Sequence, residues 1–358
     1  MEKLGLVGLP NAGKSSLFNA LTGGATPVAP HPFSTTETSQ GIAHVPDDRL
    51  DRLSVMSESK KTVYATAEFV DIAGLVAGAA GGEGMGNRFL AGIREVDALV
   101  LVLRAFADEG VTGDTDPVDA LGILELELVL ADAASAETQL SRRRRAAKGD
   151  KSLAGEVAAL DAALAELNDG TPLYRAQLSP EQRAALRPFF LLTAKPILAV
   201  VNIGEDQLAD ADALAKPVAD ALGDTGEVVA VSVQLESEAG GLDPSERAEM
   251  LEGLGLGVGA LPRVSRAAYD LLGLHTFLTT GDKESRAWTF RAGAKAPECA
   301  GVIHTDLQRG FIRAEVIRWD ELLGLGSWQK AKETGRLRVE GKDYVVQDGD
   351  VLEVRFNV

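Results

Sequence analysis

The run Gly8-Leu9-Pro10-Asn11-Ala12-Gly13-Lys14-Ser15 has the spacing of a phosphate cradle. In G-x-x-x-x-G-K-S the glycines let backbone N–H groups turn onto phosphate oxygens, and the helix behind them adds the partial positive charge of its N-terminus. Asn11, Ala12, Gly13 and Ser16 would line such a loop, Lys14 would reach the β- and γ-phosphates, and the Ser15 hydroxyl would ligate Mg²⁺. Asp71-Ile72-Ala73-Gly74 ends an apolar run and supplies what the cradle still needs. Asp71 would hold the metal, commonly through a water, and the Gly74 N–H would meet the γ-phosphate. Between the two lies Pro30–Glu37, where Thr35, or else its neighbour Thr36, can bring a hydroxyl to Mg²⁺ and an N–H to the γ-phosphate. The catalytic candidates are therefore Lys14, Thr35 and Gly74, and the metal candidates Ser15, Thr35 and Asp71. The glycine-rich Ala79–Gly86 reads as a switch that orders around nucleotide.

Two substitutions narrow the chemistry. Leu75 follows Gly74 where Ras-like GTPases carry the glutamine that orients the attacking water. A leucine cannot hydrogen-bond water, so that route is absent and intrinsic hydrolysis should be slow. Farther on, Asn202-Ile203-Gly204-Glu205 stands where a guanine reader would be Asn-Lys-x-Asp. The usual aspartate accepts two N–H bonds from guanine at a fixed reach, and Glu205 is one methylene longer. The lysine that covers the base has become Ile203. A guanine preference built on those contacts should be lost or weakened; the alternative is a drifted site that still takes guanine.

These residues need strand ends to sit on. Lys3–Val7, Ala67–Ile72, Ala98–Leu103, Ile197–Val201 and Val228–Ser232 are short, predominantly apolar runs, as strands covered on both faces should be. Helical stretches such as Leu17–Leu21 separate them, so the pattern predicts an α/β, doubly wound, mostly parallel sheet with ligands at the carboxyl ends of its strands. Ser232 falls at such an end and is counted among the nucleotide contacts. The alternation stops over 121–195. There Leu153, Val157, Leu160, Leu164 and Leu167 recur at spacings of four and three, the seam of a helical pair, with Leu124, Leu128 and Ala131 as the facing stripe. Arg142–Arg145 and Lys148 fall at the turn between the helices, outside any packing seam, and Ser179-Pro180-Glu181-Gln182 is a helix start. From 275 onward, strands near Trp288–Arg291, Phe311–Ile317, Asp343–Val346 and Val351–Phe356, with a short helix around Trp319–Leu323, predict a small α+β domain. The expected domains are 1–120 with 196–274 for nucleotide, 121–195 as a helical insertion, and 275–358.

Composition sets outer bounds. The single cysteine, Cys299, cannot form an internal disulfide and fits a reducing compartment. No apolar run reaches the ~18 residues of a membrane span, and Met1–Leu4 leads straight into a strand rather than a signal peptide, so a cytoplasmic location is expected. The four histidines show no metal-ligand spacing. The formal charge of −17 is unevenly placed: 121–195 carries ten residues of each sign and 275–358 thirteen of each, so the whole excess lies on the remainder. An acidic body with two neutral modules argues against a generic nucleic-acid coat and confines any phosphate-backbone contact to those modules.

Together Gly8–Ser15 with its Pro10-Asn11, Asp71-Ile72-Ala73-Gly74-Leu75-Val76, Gly82-Glu83-Gly84-Met85-Gly86-Asn87 and Asn202-x-x-Glu205 resemble the YchF/Obg-like ATPase family. The likeness continues through Lys283–Thr289, Ile303–Asp306, Gly310–Ala314, Glu340–Tyr344 and Asp348–Asp350, nearly the whole chain. It implies a Ras-like nucleotide domain, an inserted coiled-coil arm and a C-terminal TGS domain of β-grasp form. It also implies ATP preferred over GTP, hydrolysis without the catalytic glutamine, and association with ribosomes. By the family's pattern Asn202 and the backbone of Ile203 meet adenine, and Phe106 lies against the base. Ser16 replaces the more usual threonine, and Glu37-Thr38-Ser39 replaces Glu-Pro-Asn. The loop Asp108–Pro117 lacks the histidine that many members carry there.

Overall fold

The computed structural model describes residues 2–24, 39–72, 85–108 and 115–357. The chain divides into two compact units, Met1–Ala43 with Glu68–Ala268, and His44–Ala67 with Tyr269–Val358.

The first unit is built on β1 (Lys3–Val7), β2 (Ser39–Val45), β4 (Ala65–Asp71), β5 (Ala98–Arg104), β6 (Ile197–Asn202) and β7 (Gly226–Val231), in the order β2-β4-β1-β5-β6-β7; the two-residue β3 (Thr62–Val63) belongs to the other sheet. β1 pairs in parallel with both β4 and β5, and β5–β6 and β6–β7 are also parallel. β5 and β6 are buried along their whole length, as their unbroken Val and Leu runs require. The strand order reverses at β1, which makes the carboxyl ends of β1, β4 and β5 a switch point where such sheets bind ligands. Helix α1 (Lys14–Thr22) follows β1, α2 (Asp48–Met56) lies in the second unit, and α3 (Met85–Arg94) begins within the glycine-rich stretch that the sequence assigned to a switch.

Between β5 and β6 the chain leaves the sheet in α4 (Pro117–Ala146), a 30-residue helix, and at 1.5 Å per residue it spans about 45 Å. Asp116 caps it by accepting the Val118 and Asp119 N–H groups, and Pro117 takes its first turn. α4 changes partner halfway. Leu121, Leu124 and Leu128 join the sheet core with Leu99, Leu101 and Ile197, whereas Val129, Ala136 and Leu140 pack on Ala159, Leu160, Ala163 and Leu167 of α5 (Ala154–Asn168). The stripe facing α5 is thus not Leu124-Leu128-Ala131, which serve the nucleotide domain. The arm's arginines are corrected as well: Arg143 Nε lies 3.0 Å from Glu156, Arg144 reaches Asp161 at 2.5 Å, and Arg143 stacks over Phe189. Two of the four are therefore engaged in surface ion pairs across the hairpin. The Ser179–Gln182 capping box starts α6 (Pro180–Leu186) as expected. The arm is tied down by buried Asp132, which accepts from Leu192 N (2.8 Å), Thr193 N (2.7 Å) and Thr193 Oγ1 (2.7 Å) just ahead of β6. The first unit continues with α7 (Ala211–Leu222), α8 (Val233–Gly240), α9 (Pro244–Gly253) and α10 (Leu261–Leu271).

The second unit has β8 (Leu274–Thr279), β9 (Ser285–Arg291), β10 (Phe311–Arg318), β11 (Arg338–Glu340) and β12 (Asp350–Phe356), ordered β11-β10-β12-β8-β9-β3. Helix α11 (Ala296–Ile303) puts Ala296, Cys299 and Ala300 into a core with Phe277, Phe290, Phe311 and Leu352. Burial pushes the Cys299 thiol up to about 12, so it behaves as a small apolar group. The expected strand at Asp343–Val346 is absent; only an isolated bridge, Lys295 to Val345, forms there. The early segment His44–Ala67 is part of this unit: β3 pairs in parallel with β9, and Ser59 Oγ meets Gly281 O and Ser285 Oγ at 2.7 Å each. Among the described residues, no helix is long and apolar enough to cross a membrane.

Candidate functional site

The loop from β1 to α1 is shaped for an anion. Asn11 (φ 63°) and Gly13 (φ 91°) both lie in the left-handed region, which turns successive N–H groups toward one side. Gly13 has no room for a side chain, since a Cβ would sit 2.3 Å from Asn202 Nδ2. No side chain caps the first turn of α1 and no acid lies in it, although α2, α4 and α6 are all capped by side chains. Helix N-termini of this kind present N–H groups and partial positive charge to a ligand.

Two oxygens face each other below the loop. Ser15 Oγ donates to Asp71 Oδ2 at 2.6 Å, and the other carboxylate oxygen, Asp71 Oδ1, is buried without a hydrogen-bond partner among the described residues. Lys14 is buried too; desolvation lowers its pKa, and the Asp71 charge opposes that only in part. Desolvation likewise raises the Asp71 carboxyl against the Ser15 hydrogen bond and the Lys14 charge. Each group is short of opposite charge. Thr35, Gly74 and Leu75, with Thr36, lie outside the described residues.

Beside the loop opens a cavity of about 900 Å³. Gly13 and Ser16 stand at one end, Phe106 and Asp108 after β5, Asn202 to Asp206 after β6, and Val233, Gln234 and Glu238 on α8. Asn202 is 4% exposed and its amide is used at both ends: Nδ2 donates to Ala12 O at 3.1 Å, and Oδ1 accepts from Val233 N at 3.2 Å. Ile203 lines the cavity but is part of the sheet core, and its N–H is bonded to Val231 O. Glu205 is exposed at the rim. Phe106 is half-buried and held by Arg104, whose guanidinium lies 4.7 Å over the ring and whose Nε donates to the Phe106 carbonyl at 3.0 Å. Ser232 is buried with its hydroxyl unpartnered among the described residues, one position short of the cavity wall. Sequence reading missed Arg104 and the α8 residues, because no motif marks a side chain whose partner is a backbone group or a helix far along the chain.

This fold and cradle define a P-loop nucleotide-binding protein of the Ras-like class, with a helical arm inserted between β5 and β6 and a β-grasp-like C-terminal domain. Residues 3–138 match the family model of the 50S ribosome-binding GTPase, and 274–357 match that of the YchF-GTPase C-terminal domain, described as a protein of unknown function. The chain is 46% identical over 361 residues to the ribosome-binding ATPase YchF of Bacillus subtilis, and 44% identical over 360 residues to that of Haemophilus influenzae, with 99% of both chains covered in each case. Among solved structures it is similar to the YchF GTPase of Schizosaccharomyces pombe, at 31% identity and a TM-score of 0.86, over 99% of this chain and 97% of that one. The chain belongs to the YchF family.

Proposed function

We propose that this chain is a ribosome-binding ATPase: a P-loop switch that takes ATP with Mg²⁺, hydrolyses it slowly, and meets a ribosomal or rRNA-containing partner. The observation that carries the nucleotide half is the Ser15–Asp71 pair with its orphaned buried oxygen. A hydroxyl and a carboxylate are hard oxygen donors suited to Mg²⁺, and Asp71 Oδ1 is an acceptor that the ion or one of its waters would satisfy. When bound, the ion would neutralise charge on the β- and γ-phosphate oxygens. The chain's own part is to present the N–H groups of Asn11–Ser16, to set the Lys14 ammonium against the phosphates, and, through Thr35 and Gly74, to close on the γ-phosphate.

Base choice rests on this chain's own residues, since the relatives' names include both ATPases and a GTPase. Ile203 in place of lysine and Glu205 in place of aspartate support adenine over guanine, with GTP as a weaker ligand. Leu75 cannot position water, which supports slow turnover of the isolated protein. The names of the bacterial relatives support a ribosomal partner, and the balanced charge of the arm and the C-terminal domain supports contact through those modules. The test is ATP hydrolysis by the purified chain, with and without ribosomes, beside Lys14→Ala. Turnover alone should be far below the ~1–100 s⁻¹ of kinases and absent in Lys14→Ala. Fast partner-free turnover, or a Lys14→Ala variant with parental activity, would reject the proposal.

A further inference from the structure

The cavity beside the P-loop has two walls from separate parts of the chain, the segment after β5 (Ala105 to Asp108) and the segment after β6 (Asn202 to Asp206). Side by side, the strands carry these walls only as far as the Arg104–Asn202 register and one further bond, Ala105 N to Asn202 O at 2.8 Å. Beyond that, a side chain bridges them as well. Gln207 Oε1 accepts from Gly204 N at 2.7 Å, and Gln207 Nε2 donates to Ala105 O at 3.1 Å. Two backbone partners fix the amide's orientation without ambiguity, because a carbonyl can only accept and an N–H can only donate.

We propose that Gln207 is a positioning residue for the nucleobase: it staples the Phe106 wall to the Asn202–Glu205 wall and so sets the width of the slot between them. The proposal rests on the nucleotide reading of this cavity. A planar base gains from such a slot only if both faces are held at stacking distance, and Phe106 is held on its own side by Arg104. An untied pair of loops would have to be ordered at the moment of binding, at a cost to affinity. The phosphates would be held by the N–H groups of the P-loop, to which Gln207 makes no hydrogen bond among the described residues, and should not feel the change.

Gln207 also occupies the third helical position after Gly204, so reaching back to that N–H is a capping role of its own. Two variants separate the roles. Gln207→Glu keeps an acceptor for Gly204 N–H, and glutamate suits that capping position, but an ionised carboxylate cannot donate to Ala105 O. Gln207→Leu removes both bonds. Affinities for ATP and for inorganic tripolyphosphate, each with Mg²⁺, are measured by titration on the full-length protein. Both variants should bind ATP at least fivefold more weakly, bind tripolyphosphate within twofold of the parent, and, for Gln207→Glu, unfold at the parental temperature. Gln207→Glu with parental ATP affinity would reduce Gln207 to a cap and overturn the proposal. Equal loss for ATP and tripolyphosphate would overturn it too, as damage to the whole site. If the parent itself binds ATP no better than tripolyphosphate, the fault lies with the nucleotide reading of the cavity.

Discussion

Asn202 and Ala12 are 190 positions apart in the chain, and a single hydrogen bond joins them: Asn202 Nδ2 donates to the Ala12 carbonyl at 3.1 Å. The same amide accepts from Val233 N at the start of α8, so one buried side chain braces the phosphate loop, the end of β6 and the wall of the cavity. Replacing Asn202 by alanine would strand a buried carbonyl and a buried N–H. Such losses cost about 1–3 kcal/mol each way. Asn202→Ala should therefore lower the urea midpoint without any nucleotide present. An unchanged midpoint together with lost nucleotide affinity would mean that Asn202 acts on the ligand alone.

At the far end of the arm, the four arginines should split into two pairs. Arg143 and Arg144 are engaged across the hairpin with Glu156 and Asp161. These exposed pairs are worth ~0–1 kcal/mol each, so Arg143→Gln with Arg144→Gln should slightly lower thermal stability. Arg142, Arg145 and Lys148 are exposed, and changing all three to glutamine should leave stability alone and weaken co-sedimentation with ribosomes, with a flatter salt dependence. Unchanged binding and an unchanged salt slope would exclude the arm tip as the contact.

In the second unit, Arg49 Nη1 reaches Asp348 Oδ2 at 2.5 Å, and Asp348 Oδ1 accepts from Thr276 N at 2.8 Å. Burial alone would raise the Asp348 carboxyl, but the Arg49 and Thr276 hydrogen bonds and the Arg49 charge outweigh it and hold it below its ordinary value. A depressed folded pKa stabilises above the unfolded value of about 3.9 and ceases to do so as pH falls through the folded value. Asp348→Asn keeps an acceptor for Thr276 but loses the charge. Its stability deficit should be constant above about pH 5 and shrink below about pH 4 in acid-unfolding experiments. A deficit independent of pH would show that packing, not charge, is lost.

What could be read from the sequence was whatever is local. Lys3–Val7, Ala98–Leu103 and Ile197–Val201 were evident because a strand covered on both faces needs an unbroken apolar run. Side-chain spacing gave the face of α4 but not its neighbour: Leu124 and Leu128 have the period of a hairpin seam yet pack under the sheet, since a long helix can change partner midway. The segment His44–Ala67 carries a polar helix and a two-residue strand, and its place with the C-terminal strands depends on partners such as Ser59 and Ser285, 226 positions apart. Val345 looked like strand by composition but forms only one bridge. In the site, Lys14, Ser15, Asp71 and Asn202 carry motif signatures, whereas Arg104 and Gln207 act through backbone groups that leave no pattern.

The most direct measurement is equilibrium titration of ATP and GTP, each with Mg²⁺, on one preparation of the nucleotide-free chain. With Ile203 closing the lysine's place and Glu205 at the rim, ATP should bind at least tenfold tighter than GTP, about 1.4 kcal/mol. Lys14→Ala should bind both weakly. GTP bound as tightly as ATP, or tighter, would contradict an adenine-selective switch and make the chain a GTPase of the same fold.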